Sequence, residues 1–295
     1  TAPVLGGGAA VRRYAELFLE GFSARARWLT GMGYRLTGDP SGGYDTRCIL
    51  AGALRLGLPM EYYTDELVTG DESETARRLA ETCGVAVTRV PQGPAIADEA
   101  EWRRLVYLSG GRVNCHTMLG ALLVTRTRRQ LIPGPAARFM GFVGEFVRHP
   151  VARSHGFRGF TDAMAHDVYT RYIRIREACG LVGHDVAEAN GRIAGAVERW
   201  GERDDTARAR RLIFEYWYGL AQVGEDRHRW HFWTATPLVS NPMLDFIYHH
   251  MDPRAIGYRF FVEVLRTLHP RVLGAPLHQS RLRLASRREV WMHSV

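Results

Sequence analysis

The sequence predicts an α/β protein: a parallel sheet flanked by helices, followed by a mostly helical second half. Three observations carry that expectation. Strand-like and helix-like patterns alternate three times across residues 31–90, the signature of a parallel sheet with helices on its faces. The first two helical patterns inside that run close on Gly57 and Gly84, as helix ends favour. From about residue 151 the strand signal fades into long amphipathic stretches.

Each element follows in order. Residues 9–29 carry Val11, Tyr14, Leu17, Phe18 and Phe22 at helical spacing, which predicts a leading helix. "GYRLTGD" reads as a short strand running into a glycine turn. "TRCILAGALRL" places Ile49, Leu50, Ala53 and Leu54 on one helical face. "MEYYTDEL" and "VAVTRV" read as the second and third strands, separated by "GDESETARRLAETCG", a helix opened by acids. Residues 98–129 read as helical with a break at Ser109-Gly110-Gly111. "ARFMGFVGEFVRH" reads as one more buried strand feeding a glycine turn. Beyond it, "VYTRYIRIREACGL" and "ARARRLIFEYWYGLAQV" read as helices. The Pro/Gly-rich points near 91–94 and 133–135 are loops within one unit. The expected organisation is therefore one domain over 1–295, with a leading helix at 1–30, an α/β core at 31–150 and a helical region at 151–295.

The chain has 295 residues and 46% apolar content, enough to bury a core without disulfide staples. Its net charge is +8, and all 39 of its basic residues are arginine, because it contains no lysine. GC-rich coding accounts for that bias; a surface for anionic partners would account for it as well. Cys48, Cys83, Cys115 and Cys179 form no CxxC pair and match no zinc spacing, which suits reduced, buried thiols in a cytoplasmic protein. No apolar run approaches the roughly 20 residues of a membrane span, and no signal-peptide pattern opens the chain. It begins at Thr1 and not at Met, which leaves room for a longer precursor.

The chemistry concentrates in "SGGYDT", residues 41–46. A glycine turn between a strand's carboxyl end and a helix start offers free backbone N–H groups to an anion. Ser41 and Thr46 add hydroxyls. An acid at Asp45 would repel phosphate by itself, but makes sense as a Mg²⁺ ligand, the ion then bridging to phosphate oxygens. A Walker A loop is excluded, because that motif requires a lysine. The second SGG, Ser109–Gly111, lacks the acid and follows a helical stretch; it reads as a turn, with Arg112, Asn114 or His116 as the residues that could face a substrate.

In its setting, "LTGDPSGGYDTR" resembles the SGGxDS pyrophosphate loop of the N-type ATP pyrophosphatases. Within them it is most similar to the synthetase domain of asparagine synthetase and its relatives, the β-lactam synthetases and lasso-peptide cyclases. The resemblance continues through "LGLPMEYYTDELVTGDESETARRLAETCGVAVTRV", thins over 91–130, and returns at "GFVGEFVRHP" and, weakly, at "VSNPMLDFIYHHMDPRAI". It covers about two-thirds of the chain. It implies an adenine nucleotide alpha-hydrolase-like fold and an ATP-dependent, AMP-forming amide ligase. Ser41, Gly42, Gly43, Tyr44 and Thr46 would hold the pyrophosphate of ATP, and Asp45 would bind Mg²⁺ and serve the catalytic step. Gly141 and Gly144 would shape the second loop, with Glu145 as a further Mg²⁺ ligand. Leu36 and the strand around Tyr63 would line the adenosine site.

Departures from the family's pattern qualify the substrate. The family's catalytic lysine is missing, and Arg227 or Arg229 would supply positive charge in its place, without shuttling a proton near neutral pH. Leu238 and Ser240 fall where the family has Glu and Arg. Aspartate as substrate is thereby in doubt, and an altered carboxylate pocket or a lost activity is implied. The resemblance covers the synthetase part alone, so nitrogen would come from a separate glutaminase, as free ammonia or on an amine co-substrate. A small-molecule or peptide carboxylate is the expected partner, a homo-oligomer stays open, and neither nucleic acid nor membrane is expected. Two alternatives stand beside this reading: a tRNA-modifying ATP pyrophosphatase, favoured by the charge but lacking paired cysteines, and a degenerate nucleotide-fold scaffold. His228, His231, His249 and His250 read as aromatic-stacked or exposed, with no HExxH pattern. Tyr216, Trp217, Tyr218, Trp230, Phe232 and Trp233 read as helix packing, or as the wall of an apolar acyl pocket.

Overall fold

A computed structural model describes residues 4–66, 72–91, 98–108, 115–141, 144, 147, 160–165, 175–201, 205–212, 215, 231–252 and 255–277. Five parallel strands form one sheet in the order β3-β2-β1-β4-β5, with β1 at Arg35–Gly38, β2 at Met60–Asp65, β3 at Val87–Val90, β4 at Ala136–Phe139 and β5 at Trp233–Ala235. The expected α/β class is therefore present. The chain runs outward from β1 through β2 to β3, then returns to pair β4 on the other side of β1, in the register Leu36 with Ala137 and Gly38 with Phe139.

The helices between these strands form where their sequences demand. Helix α1 (Gly7–Gly31) buries Tyr14, Leu17, Phe18 and Phe22 along one stripe. Helix α2 (Tyr44–Leu56) ends on Gly57 at φ 62°, and α3 (Ser73–Cys83) on Gly84 at φ 73°. Both glycines take the left-handed conformation that L side chains avoid. Two further helices precede β4: α4 (Glu99–Leu108) and α5 (Cys115–Leu131). After β5 come α10 (Asn241–Asp245), a π-helical turn at Phe246–His250, α11 (Tyr258–Leu268) and a 3-10 turn at Pro270–Leu273.

The core lies on both faces of the sheet. Residues alternate faces along a strand, so Ala136 and Phe139, three apart, point to opposite sides. Phe139 stacks on Phe22 of α1 at 4.8 Å, and Tyr14 meets Phe260 of α11 edge-on at 5.6 Å. Gly52 lets α1 and α2 close: a Cβ there would stand 2.5 Å from Phe18 Cε1. Ala136 instead joins Tyr63, Val90, Val124, Ile132 and Phe232, which cluster beneath α5. Arg47, fully buried in α2, donates from Nη1 to the carbonyls of Val272 (2.7 Å) and Ala275 (2.8 Å), pinning α2 to the last turn of the described chain. Burial lowers its pKa to about 10, so it stays charged at neutral pH.

By its internal contacts the chain divides into two compact units, residues 1–148 with 223–295, and residues 149–222. The second contains α6 (Phe160–Ala165), α7 (Ile175–Val182), α8 (Val186–Glu198) and α9 (Asp205–Leu212). Met164, Ala194, Val197, Ala209 and Leu212 form its core. Two expectations change. The sheet is not confined to 31–150, because β5 comes from 233–235. For the same reason Phe232 and Trp233 belong to a strand and its approach, not to a packed helix; the other residues of that aromatic run lie outside the described set.

Candidate functional site

In a parallel sheet, ligands bind beyond the carboxyl ends of the strands, where neighbouring strands send their chains in opposite directions. Here that point lies between β1 and β4. The loop after β1 is Asp39–Gly43, leading into α2; the loop after β4 begins at Met140. Both are glycine-rich, and they meet. A Cβ at Gly141 would stand 2.6 Å from the main-chain carbon of Asp45 and 2.7 Å from the Thr46 nitrogen. A Cβ at Gly144 would stand 2.6 Å from Asp45 Cγ and 3.2 Å from Leu238 Cδ1. Neither glycine has positive φ, so it is space, not backbone strain, that forbids a side chain. Asp45 is thus clasped between two loops that are about a hundred residues apart in sequence.

The first loop is held by its own hydroxyls. Ser41 Oγ and Thr46 Oγ1 lie 2.8 Å apart, and the Gly43 N–H donates to Ser41 Oγ at 3.1 Å. The Gly42 N–H donates to Glu72 Oε2 at 2.8 Å. A main-chain donor of the loop is therefore already occupied by an anionic oxygen, brought in by the residue that precedes α3. Asp45 sits in the first turn of α2, where the helix dipole favours negative charge. The Tyr44 ring is buried against Tyr258 (5.4 Å) and Phe261 (6.4 Å), which leaves its main chain as the part facing the loop.

Below the loop lies an ionic quartet that sequence reading missed. Arg128 of α5, with no exposed side-chain surface, pairs with both Asp39 and Asp65. Arg138 of β4 donates from Nε to Asp39 Oδ2 at 2.6 Å and approaches Asp65 at 3.8 Å. Asp39 and Asp65 mark the carboxyl ends of β1 and β2, so the quartet ties three strands and α5 together at the ligand-binding edge. Burial alone would raise the Asp39 pKa, but the two guanidiniums outweigh it and hold the carboxyl below its usual value. Two acids at strand ends were the available signal. The two arginines were hidden among 39.

Of the other anticipated residues, Leu36 lies buried in mid-strand between Met60 and Ala137. Tyr63 donates its hydroxyl to Glu61 Oε2 at 2.8 Å, and Arg128 lies over its ring at 5.7 Å. Burial and that bond push its pKa to about 12. Leu238 is buried beside Gly144, and Ser240 caps α10, accepting from the Met243 N–H at 3.4 Å. Glu145, Arg227, Arg229, His228 and the second SGG with Arg112 and Asn114 lie outside the described residues, as does the His116 side chain. His249 stacks near Tyr248 and His250, and His250 Nε2 is 3.4 Å from Asp245. Among the described residues no three His, Cys, Asp or Glu side chains converge as a metal site, and no helix is long and apolar enough to cross a membrane.

The fold and this edge define a class: a parallel α/β protein with two glycine loops facing each other across its topological switch point. A comparison with protein-family models finds no match, and no curated protein is similar to the chain at a significant level.

Proposed function

We propose that the protein is an ATP-dependent, AMP-forming ligase that adenylates a carboxylate and joins it to an amine, in specialised-metabolite biosynthesis. One observation carries the reading: the SGG loop and the Gly141–Gly144 loop close on Asp45 at the sheet's switch point, where nucleotides bind in such folds. The residues present suit the groups the reaction needs. The Gly42 N–H already accommodates an anionic oxygen, and the Ser41 and Thr46 hydroxyls stand beside it, so pyrophosphate oxygens have donors. Mg²⁺ commonly takes one or two carboxylates and fills the rest of its shell from water and substrate oxygens, and Asp45 offers one carboxylate. Bound there, the ion would offset the charge of pyrophosphate.

In the proposed reaction a substrate carboxylate oxygen attacks the α-phosphorus of ATP, and the bridge to pyrophosphate breaks. The amine nitrogen then attacks the activated carbonyl carbon, an amide forms, and AMP leaves. The loop's task is to aim fixed donors at the oxygens that gain charge as the bridge breaks, the usual largest contribution to such catalysis. The residues that precede α2, with Thr46 in its first turn, do this from the chain's own main chain and hydroxyls; Asp45 would hold the Mg²⁺ that offsets the charge. The buried cysteines Cys48, Cys83 and Cys179, none of them in a disulfide, with burial raising the Cys83 pKa to about 11, support a protein of a reducing, cytoplasmic compartment.

The test is magnesium-dependent AMP and pyrophosphate release across a panel of carboxylates and amines. Release that needs both substrates and disappears in Asp45→Ala is expected. Release stimulated by tRNA alone would replace this reading with nucleic-acid modification, and calorimetry showing no nucleotide binding would remove it.

A further inference from the structure

At the amino-terminal edge of the sheet, opposite the SGG loop, the structure contains a cavity of about 670 Å³ lined by Tyr34, Arg129, Ala136, His231, Phe232 and Trp233 among others. Its size falls in the ordinary range for small-molecule pockets, roughly 300–1,000 Å³. It lies where β1, β4 and β5 begin. A four-residue strand spans about 13 Å, so this cavity and the glycine loops are separate places on the protein.

Two features say what the cavity would take. The first is an indole held ready. Trp233 opens the short edge strand β5 and is 51% exposed, yet it is propped on two sides, by Trp28 at 5.8 Å and by Tyr34 at 6.5 Å. A large aromatic fixed in place but left half in solvent offers contact area at little cost in side-chain freedom. The second is charge. Arg129 is half-buried and spends one Nη1 hydrogen on the Ile132 carbonyl at 2.6 Å. Among the described residues no carboxylate pairs with it, and no acid lines the cavity. A guanidinium has five N–H donors in a planar fork that matches a carboxylate, so donors remain beside an aromatic wall. A single arginine balances one negative charge, not the two of a phosphate monoester.

We propose that this cavity is a binding site for an aromatic or bulky apolar body bearing one carboxylate: the ring stacks on Trp233 and the carboxylate pairs with Arg129. A free acid and the C-terminal residue of a peptide share that chemistry. The reading does not depend on nucleotide binding at the opposite edge.

The experiment titrates the protein, without nucleotide, with N-acetyl-L-phenylalanine, with its neutral amide, and with a tetrapeptide ending in phenylalanine with a free carboxylate. Indole fluorescence and indole N–H NMR signals report binding. A saturable response to the acid, at least tenfold weaker for the amide, is expected. Tighter binding of the tetrapeptide than of the free acid would identify a peptide terminus as the source, and the reverse a small acid. Trp233→Ala and Arg129→Gln should each weaken binding at least tenfold, while Arg129→Lys, which keeps the charge, should restore part of it and guards against a folding defect. No saturable response to either acid, equal binding of acid and amide, or undiminished binding by a folded Arg129→Gln protein overturns the proposal.

Discussion

Replacing Gly144 with alanine is the sharpest probe of the two-loop arrangement. The new Cβ would stand 1.9 Å from Asp45 Oδ1 and 2.6 Å from Asp45 Cγ, whereas ordinary contact begins near 3.4 Å. The Asp45 carboxylate or one of the two loops must therefore retreat by about 1.5 Å. The flexible end of Leu238, at 3.2 Å, can give way by tenths of an ångström, but relieving the clash with Asp45 in the first turn of α2 requires the carboxylate to leave its place or the loop to move. Misplacing a catalytic group by about 1 Å costs on the order of 10²-fold in rate, equivalent to about 2.7 kcal/mol of transition-state stabilisation. Overpacking typically costs about 1–3 kcal/mol of stability as well, but that should leave the folded fraction near one at room temperature, since domains are stable by about 5–15 kcal/mol. The expectation is thus a folded Gly144→Ala protein whose pyrophosphate release falls about 10²-fold. Circular dichroism and the release assay measure the two quantities separately. An active wild type whose Gly144→Ala variant keeps full turnover would refute the claim that these loops close on Asp45.

Three further outcomes follow from the same edge. Arg128→Met leaves Asp65 with its nearest cation, Arg138, at 3.8 Å; breaking a buried pair costs about 3–5 kcal/mol, and partial exposure of both acids puts this one near the lower figure, to be read from the urea midpoint. Because the Asp39 pKa is lower folded than unfolded, its pairing adds stability above the unfolded value near 3.9. That contribution disappears as the pH falls through the folded value, so acid unfolding of the wild type should be steeper below about pH 4 than that of Asp39→Asn. Glu72→Gln removes a negative charge from the Gly42 N–H; at surface screening one such charge is worth about 1 kcal/mol, so ATP should bind about fivefold tighter by calorimetry, and weaker binding would contradict an anion-binding role for that N–H.

What could be read from the sequence follows the range of the interactions involved. Strands β1 to β3 and helices α1 to α3 announce themselves through local period and through the glycines at 57 and 84, whose left-handed caps are local chemistry. The SGG loop is equally local: its donors, hydroxyls and acid are contiguous. Glu72 could not be tied to that loop by pattern, because its meeting with Gly42 is tertiary; Gly144 entered the expected site only through the family resemblance, since its approach to Asp45 is tertiary as well. Strand β5 escaped notice because a three-residue edge strand has no period to detect, and its aromatic residues suit a helix face as well as a strand.

The return of the chain after β3 is the step that makes the site, and it is the step least visible in sequence. Alternating patterns predict a parallel sheet but not the order of its strands. Had β4 simply continued outward from β3, the loops after β1 and β4 would lie at opposite ends of the sheet's edge, and Gly141 and Gly144 would face nothing. Instead the long passage through α4 and α5 carries the chain from Val90 back across the sheet to Ala136, beside β1. Arg128, at the end of α5, then pairs with acids at the ends of both β1 and β2. The helix that makes the return thus supplies the charge that locks the strand ends it crosses. A buried guanidinium shared by two carboxylates tolerates little shift in register, so the same contact that completes the crossover also fixes the position of the loop that begins at Asp39.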